Sequence, residues 1–340
     1  MCSFVVFSSD NLSLSDLSKA LKKVYHRGPD NNYLAIENGL LWGFNRLSIM
    51  DLSSNGNQPF KYDSCELVCN GEIYNYNSFK KLLSQEYIFH SNSDCEVLIP
   101  LYLKYGIEIM CKMLDAEFAL VLYNSKDNSI MAARDPMGIR PMFYGYTKKD
   151  HKISFASEAK ALIDYCNDIM PFPPGHYYKD GKFTCYNDLS NTKFINNDNL
   201  NTIFTNIRTK LISAVEKRLH ADAPIGYLLS GGLDSSLVCS IAQRMIKDPI
   251  KTFAIGMDTD PIDLKYAKQA ADYLGTDHTE VIINKNDILK TLDEVIYHLE
   301  TFDITTIRAS IGMYLLCKYI HENTTLKVIL TGEVSDELFG

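Results

Sequence analysis

No stretch of this 340-residue chain concentrates Lys or Arg, and its 42 Asp plus Glu outnumber 34 Lys plus Arg for a formal charge of −8. Nucleic acid and anionic membrane surfaces are therefore not expected as partners, because the positive field they require is missing. No apolar run approaches the ~18 residues that cross a bilayer, so no membrane span is expected. The opening Met1-Cys2-Ser3-Phe4 lacks a basic start and a long apolar core, and is not expected to act as a secretory leader. Nine cysteines are scattered without paired C-x-x-C units or neighbouring histidines. That pattern argues against zinc and against a disulfide framework, and it suits a reducing compartment; a cytoplasmic location is the expectation. No internal repeat is visible, and no Gly-Lys-Ser/Thr closes a glycine-rich turn, so the chain has no Walker A loop. What is present, 46% hydrophobic and 22% charged residues, is the balance of a globular protein of about two domains.

One stretch organises the rest. An apolar run from Ile225 to Leu229 stops at Ser230-Gly231-Gly232-Leu233-Asp234-Ser235-Ser236, after which Leu237, Val238, Ile241 and Met245 recur at helical spacing. Strand, tight turn and helix N-terminus follow from that order. Glycines let backbone N–H groups close around an anion, and the first helical turn adds unpaired donors and a positive dipole end. Two readings stay open on spacing alone: a phosphate cradle, or an ordinary loop with a helix cap. Without a lysine for the β/γ-phosphates, such a cradle suits holding pyrophosphate while an acceptor attacks the α-phosphate. The segment SGGLDSS resembles the pyrophosphate loop of ATP pyrophosphatases that adenylate a carboxylate.

At the other end, Cys2 follows a methionine that a small neighbour allows to be trimmed. Removal would put a free α-amine, of ordinary pKa about 7.7–8.0, on the residue that carries the thiol. Leu14, Leu17, Leu21 and Val24 mark a helical face that ends at His26-Arg27-Gly28-Pro29-Asp30. Strand-like runs carry Arg46, in Arg46-Leu47-Ser48-Ile49-Met50, and Asn70-Gly71-Glu72. Singly, these read as a helix stop, a rim charge and a hairpin turn. Together with Cys2 they resemble the glutaminase domain of class II glutamine amidotransferases. That resemblance implies Cys2 as nucleophile on the glutamine side-chain amide, with the Asn70 side chain and Gly71 N–H as oxyanion donors. Arg46, within the Leu47–Met50 segment, would pair with the substrate α-carboxylate, while Glu72 and Asp94 would take its ammonium. A capping box at Ser93…Glu96 would make Asp94 the first residue of a helix through Leu98, Tyr102 and Tyr105, kinked at Pro100. Arg134-Asp135-Pro136-Met137-Gly138-Ile139-Arg140-Pro141 and the helix start Ser157-Glu158-Ala159-Lys160-Ala161-Leu162 look like two further family segments. Many short strands suggest stacked antiparallel sheets, the αββα sandwich of the N-terminal nucleophile type that the resemblance implies.

A polar connector runs from about residue 179 to 201. Beyond it, a helical face from Leu200 through Ile203, Ile207, Leu211 and Val215 to Leu219 precedes alternating strands and helices: strands at 251–257, 281–283 and 326–331, helices at 263–274, 288–299 and 307–319. That order predicts a parallel doubly wound sheet, whose ligands sit beyond the carboxyl ends of its strands. Glu300-Thr301-Phe302-Asp303-Ile304-Thr305-Thr306-Ile307-Arg308-Ala309-Ser310 and Thr331-Gly332-Glu333-Val334-Ser335-Asp336-Glu337 are similar to segments of glutamine-hydrolysing asparagine synthetases. The resemblance implies an ATP pyrophosphatase fold in which Leu228, Ile255, Thr331 and Gly332 line adenine and ribose beside the Ser230–Ser235 loop. It places Mg²⁺ at Asp234 and Asp336, Glu333 at the β-aspartyl-AMP step, and Thr305, Thr306 and Arg308 around aspartate. Glu337 reads as solvated surface. Val334 stands where relatives have glycine, so a positive φ there would be strained. The expected domains are residues 2–190 and 200–340, the second incomplete at its C-terminus. Expected small-molecule partners are glutamine, aspartate and ATP, with a homodimer as the assembly. A glutaminase without synthetase activity and a silent relative acting as a scaffold stay open beside it.

Overall fold

Strand alternation with both faces covered decides the first unit, residues 1–195. In β1 (Ser3–Phe7), Phe4 and Val6 face a core with Trp42, Phe44, Val68 and Val121, while Val5 and Phe7 face Leu17, Leu21 and Leu162. A strand buried on both sides must lie inside a layered stack. The computed structural model describes residues 1–191, 197–259 and 261–335. α1 (Leu14–Lys22) begins at a capping box, Ser13 Oγ accepting the Asp16 N–H and Asp16 accepting the Ser13 N–H. β2 (Asn31–Glu37) and β3 (Leu40–Arg46) form a hairpin through Asn38-Gly39, both at positive φ, the conformation a tight two-residue hairpin needs.

The chain then runs through β4 (Phe60–Tyr62), β5 (Cys65–Ile73), α2 (Tyr76–Leu83), α3 (Leu98–Met113), β6 (Ala116–Asn124) and β7 (Ser129–Arg134). β8 (Phe143–Thr147), β9 (Ile153–Ala156), β10 (Cys166–Pro171), β11 (His176–Lys179) and β12 (Lys182–Cys185) complete the unit. Two six-stranded antiparallel sheets result, ordered β10-β8-β9-β1-β3-β2 and β12-β11-β7-β6-β5-β4. One core lies between them. A second joins β1 to α1, and a third joins β5 and β6 to α2 and α3 through Leu67, Phe79, Leu98, Leu101 and Phe118.

Three local expectations are corrected. Pro100 does not kink α3: it occupies the first turn, where its missing N–H has no intrahelical partner to lose, and the break falls at Gly106 with φ 76°. The Ser93…Glu96 box does not form, because the Glu96 carboxylate instead accepts the N–H groups of His90 and Ser91. Asp94 therefore precedes only a single 3₁₀ turn, Cys95–Val97, before α3. The segment after Glu158 likewise makes one 3₁₀ turn, Ala159–Ala161, rather than a helix.

The second unit, residues 196–340, follows the β/α order. α4 (Leu200–Arg218) is capped by Asn199, which accepts the Thr202 N–H. Its expected apolar face packs only near its C-terminal end, at Val215 and Leu219; Leu200 and Ile207 are exposed among the described residues. β13 (Ile225–Leu228), α5 (Leu233–Met245), β14 (Lys251–Met257), α6 (Ile262–Leu274), β15 (Asp277–Ile283), α7 (Lys285–Leu299), α8 (Ile304–Asn323) and β16 (Val328–Leu330) follow. The strands are all parallel and ordered β15-β14-β13-β16. α4, α5 and α6 cover one face through Val215, Cys239, Ala242 and Ala271, and α8 covers the other through Leu316 and Ile320. Successive strands step one way from β13, and β16 returns on its other side. The loops after β13 and β16 are thereby neighbours at the carboxyl edge, the switch point of such a sheet. No helix of the described residues is long and apolar enough to cross a membrane.

Candidate active site

Two places gather the chemistry, one in each unit. In the first, Cys2 enters the buried strand β1, so its thiol is held against the end of neighbouring β3. Leu47 N–H donates to Cys2 Sγ at 3.4 Å, and Sγ lies 3.6 Å from Leu47 O. The cavity at this point holds about 410 Å³ of open space and is lined by Cys2, Arg46, Leu47, Ile49, Met50, Asn70, Gly71, Glu72, Asp94 and Arg140, together with Met1, Gly56, Gln58, Cys69, Ser93 and Cys95. Ser48 is buried but does not line it; its N–H donates to Asp30 at 2.8 Å and so sets the turn after Arg46.

Asn70-Gly71 is no hairpin turn. Both residues lie inside β5, opposite Ala119 and Phe118 of β6. The Phe118 N–H donates to Asp135 Oδ2 and its C=O accepts the Asp135 N–H. Strand geometry then turns the Gly71 N–H and C=O away from β6, toward the cavity edge. A Cβ on Gly71 would fall 2.8 Å from Glu117 O and Phe118 Cβ, so only glycine permits this strand contact. Asn70 is 1% exposed, and its side-chain Nδ2 has no hydrogen-bond partner. A buried amide donor left unpaired costs about 1–3 kcal/mol, a cost that an acceptor entering the cavity would relieve.

Charge in the cavity is mixed. The Glu72 carboxyl is pushed well up, first by burial and then by Asp94, against the pull of Arg140. Asp94 is also raised by burial, although one of its oxygens accepts the Ile73 N–H at 2.6 Å. Two crowded carboxyl groups make a site that a cation would relieve. Burial raises the Cys2 thiol, with the nearby α-amine and the Leu47 N–H working against it. The amine, on Met1 here, is brought down to about 5 by burial and by Arg27 and Arg140. Arg46 does not present an open fork. Its terminal N–H groups donate to Ser53 O and Asn57 Oδ1 at 2.7 Å, to Met50 O at 3.2 Å and to Asp51 O, holding the 50–57 loop.

Arg140 is the charged residue to which sequence reasoning assigned no role. It is buried, its Nη2 donates to Glu117 at 3.3 Å, and its Nε has no partner. Its only signal was membership of the 134–141 segment, which sheet pairing brings beside β5 and β6.

In the second unit, Gly231 takes φ 81° and its Cβ position would lie 2.4 Å from the Tyr266 backbone. Ser230 and Ser235 join their hydroxyls at 2.9 Å, and Ser230 Oγ accepts the Gly232 N–H at 3.3 Å. No side chain caps α5 at Gly232, so its first-turn N–H groups remain available to an anion. Leu228 ends β13 and Ile255 lies in β14. Gly332 closes on this loop: a Cβ there would stand 2.7 Å from the backbone of Asp234 and Ser235. Thr331 and Glu333 flank it, Thr331 Oγ1 accepting the Glu333 N–H at 3.4 Å. Val334 sits at φ 76°, the strained conformation anticipated for it. Thr305, Thr306 and Arg308 occupy the first turns of α8, where Asp303 accepts the Thr306 N–H and hydroxyl at 2.7 Å. That end of α8 rises past the carboxyl edge of β14, since Gly312 already lies against Ile255. The Asp336 and Glu337 expectations fall outside the described residues. Among the described residues, no group of three or more His, Cys, Asp or Glu side chains could hold a metal ion by itself.

A glutamine amidotransferase domain family matches residues 1–179, and an asparagine synthase family matches residues 206–340. An asparagine synthetase (glutamine-hydrolyzing) of Cricetulus griseus is 40% identical over 99% of this chain and 66% of its own length. One from Zea mays is 40% identical over 100% of this chain and 60% of its own. The chain thus spans about two thirds or less of the length of these relatives. A solved glutamine phosphoribosylpyrophosphate amidotransferase from B. subtilis is 17% identical over 82% of this chain and 65% of that one, at a TM-score of 0.46, too loose to place any residue. With a glutamine amidotransferase domain over more than half its length and an asparagine synthase segment behind it, the chain belongs to the family of glutamine-hydrolysing asparagine synthetases.

Proposed function

We propose that the first unit, of the αββα N-terminal nucleophile type, releases ammonia from glutamine. The second, of the ATP pyrophosphatase type, joins that nitrogen to an adenylated aspartate to give asparagine. The observation that carries the first half is the unpartnered Asn70 Nδ2, buried in one cavity with the Cys2 thiol. Loss of Met1 would leave the α-amine on Cys2, where burial and nearby guanidinium groups favour its neutral form. That amine takes the thiol proton, and Sγ attacks the side-chain carbonyl carbon of glutamine. Asn70 Nδ2 and the Gly71 N–H receive the developing oxyanion. Collapse breaks the C–N bond, the amine returns the proton to the leaving nitrogen, and ammonia departs from a Cys2 thioester. Water then attacks the thioester and releases glutamate. Glu72 and Asp94 hold the substrate ammonium. Arg46 contributes by holding the 50–57 loop and by its positive charge toward the α-carboxylate.

For the second half, the glycine turn and the uncapped start of α5 fit a pyrophosphate group, with Leu228, Ile255, Thr331 and Gly332 around the nucleoside. Mg²⁺ commonly takes one or two carboxylates plus phosphate oxygens, so Asp234 suits its site; the ion would offset charge on the phosphates. Thr305, Thr306 and Arg308 orient aspartate, and Glu333 acts at the β-aspartyl-AMP step. A homodimer and a cytoplasmic location belong to the same reading. Paired variants test it. Cys2→Ala should abolish glutamate release while leaving ammonia-dependent pyrophosphate release. Asp234→Ala should do the reverse. Loss of both activities in either variant, with the fold intact by circular dichroism, overturns the division of labour.

A further inference from the structure

Apart from the Arg27 charge near the amine, the segments His26–Asp30 and Ser157–Leu162 found no role in the chemistry above, yet the fold brings them together behind the nucleophile. Glu158 is 5% exposed and lies between His26 and the cations Arg27 and Lys160. Its Oε1 accepts from Arg27 Nη1 at 2.9 Å and lies 3.3 Å from His26 Nε2, and its Oε2 meets Lys160 Nζ at 2.8 Å. The same Arg27 reaches the other way, its Nε donating to the backbone carbonyl of Cys2 at 3.2 Å. Next door, the backbone of Phe4 is tied on both sides to Ser157: Phe4 N–H donates to Ser157 Oγ and Ser157 N–H to Phe4 O, each at 3.0 Å. Gly28 keeps the turn close, since a Cβ there would fall 2.4 Å from Asn45 O.

Cys2 lies outside the regular pairing of β1, which begins at Ser3. Beyond its thiol contacts with Leu47, among the described residues the Arg27 bond anchors its main chain. A residue that must present an amine and a thiol together needs its φ and ψ fixed, because both groups hang on the same Cα. A free lysine-like cation could not do this: the planar guanidinium spans the carbonyl and the carboxylate at once. Burial alone would raise the Glu158 carboxyl, but His26, Arg27 and Lys160 overcome it and bring it down to about 2.

Building on the glutaminase reading, we propose that Glu158 is a positioning residue for Cys2. It holds the Arg27 guanidinium in the orientation that grips the Cys2 carbonyl and so aims amine and thiol at the substrate amide. Lys160 is the counter-cation that keeps Glu158 in place. Neither residue touches substrate.

The test uses the full chain and measures glutamate release, the labelling rate of Cys2 by a chloroketone analogue of glutamine, and thermal unfolding. Glu158→Gln and Arg27→Lys should each lower kcat and the labelling rate by about tenfold or more with KM for glutamine little changed, because binding groups stay in place while attack geometry is lost. Arg27→Lys keeps the charge and limits unfolding, so it stands if Glu158→Gln folds poorly. Glu158→Asp should recover part of the rate when compared with Glu158→Gln. A rise in KM at unchanged kcat, or unchanged labelling in both variants, overturns the positioning role. If the unaltered protein neither releases glutamate nor is labelled at Cys2, the glutaminase reading itself fails, and this inference falls with it.

Discussion

Replacing Asn70 with alanine separates a built oxyanion donor from an ordinary core amide. Asn70 is buried in β5, and its Nδ2 has no partner. Removing that orphan lifts a desolvation penalty of about 1–3 kcal/mol. The small cavity left behind costs about 1 kcal/mol, from the volume of a few side-chain atoms. The two nearly cancel, so the first unit should unfold within about 3 °C of the unaltered protein, or slightly higher, taking roughly 2–4 °C per kcal/mol for a unit of this size. Turnover should behave differently. Loss of one preorganised oxyanion donor costs about 10²–10³ in kcat, or about 2.7–4 kcal/mol of transition-state stabilisation. KM for glutamine should move little, since the substrate carbonyl gains most from Nδ2 only as charge develops on it. Thermal unfolding by circular dichroism and steady-state glutamate release are the two measurements. A variant that is destabilised by several degrees and keeps kcat within tenfold would refute the argument, because Asn70 would then be holding the fold rather than waiting for an oxyanion.

Three more outcomes follow from the same geometry. Glu72 and Asp94 both sit above ordinary carboxyl values, each chiefly through burial. Their charged forms are therefore disfavoured in the unliganded fold, and the stability they contribute falls as pH rises through the folded values. A bound ammonium reverses that balance, so protection of the Cys2→Ala protein by glutamine against thermal unfolding should grow as pH rises above the ordinary carboxyl range; a flat profile would exclude the pair as the ammonium site. Val334→Gly should raise the stability of the second unit by about 1 kcal/mol, since left-handed strain of about 1–3 kcal/mol exceeds the added backbone entropy of glycine; a lower unfolding temperature counts against it. Gly231→Ala should remove pyrophosphate release and destabilise the second unit, because its Cβ would meet the Tyr266 backbone at 2.4 Å, while glutamate release continues. Normal pyrophosphate release in that variant would exclude the turn as the phosphate cradle.

What could be read from the chain itself was whatever depends on neighbours in sequence. The strand, glycine turn and helix at residues 225–245, the helical face at Leu14, Leu17 and Leu21 and the β/α order of the second unit all follow from backbone preference and periodicity, which act over a few residues. The reactive types could be named for the same reason, since a thiol at residue 2 or a carboxylate beside two glycines carries its chemistry wherever it lies. Tertiary pairing decided the rest. Asn70-Gly71 could have been a turn, and it became the middle of a strand only because β6 and the Asp135 carboxylate took up its partner Phe118. Glu96 left its expected cap because the 90–91 backbone reached it first. Arg140 and Glu158 acquired meaning only when sheet order carried them to the nucleophile, Glu158 meeting Arg27 across 131 residues of chain. Such contacts depend on strand register and layer stacking, and those are set by how the whole core closes.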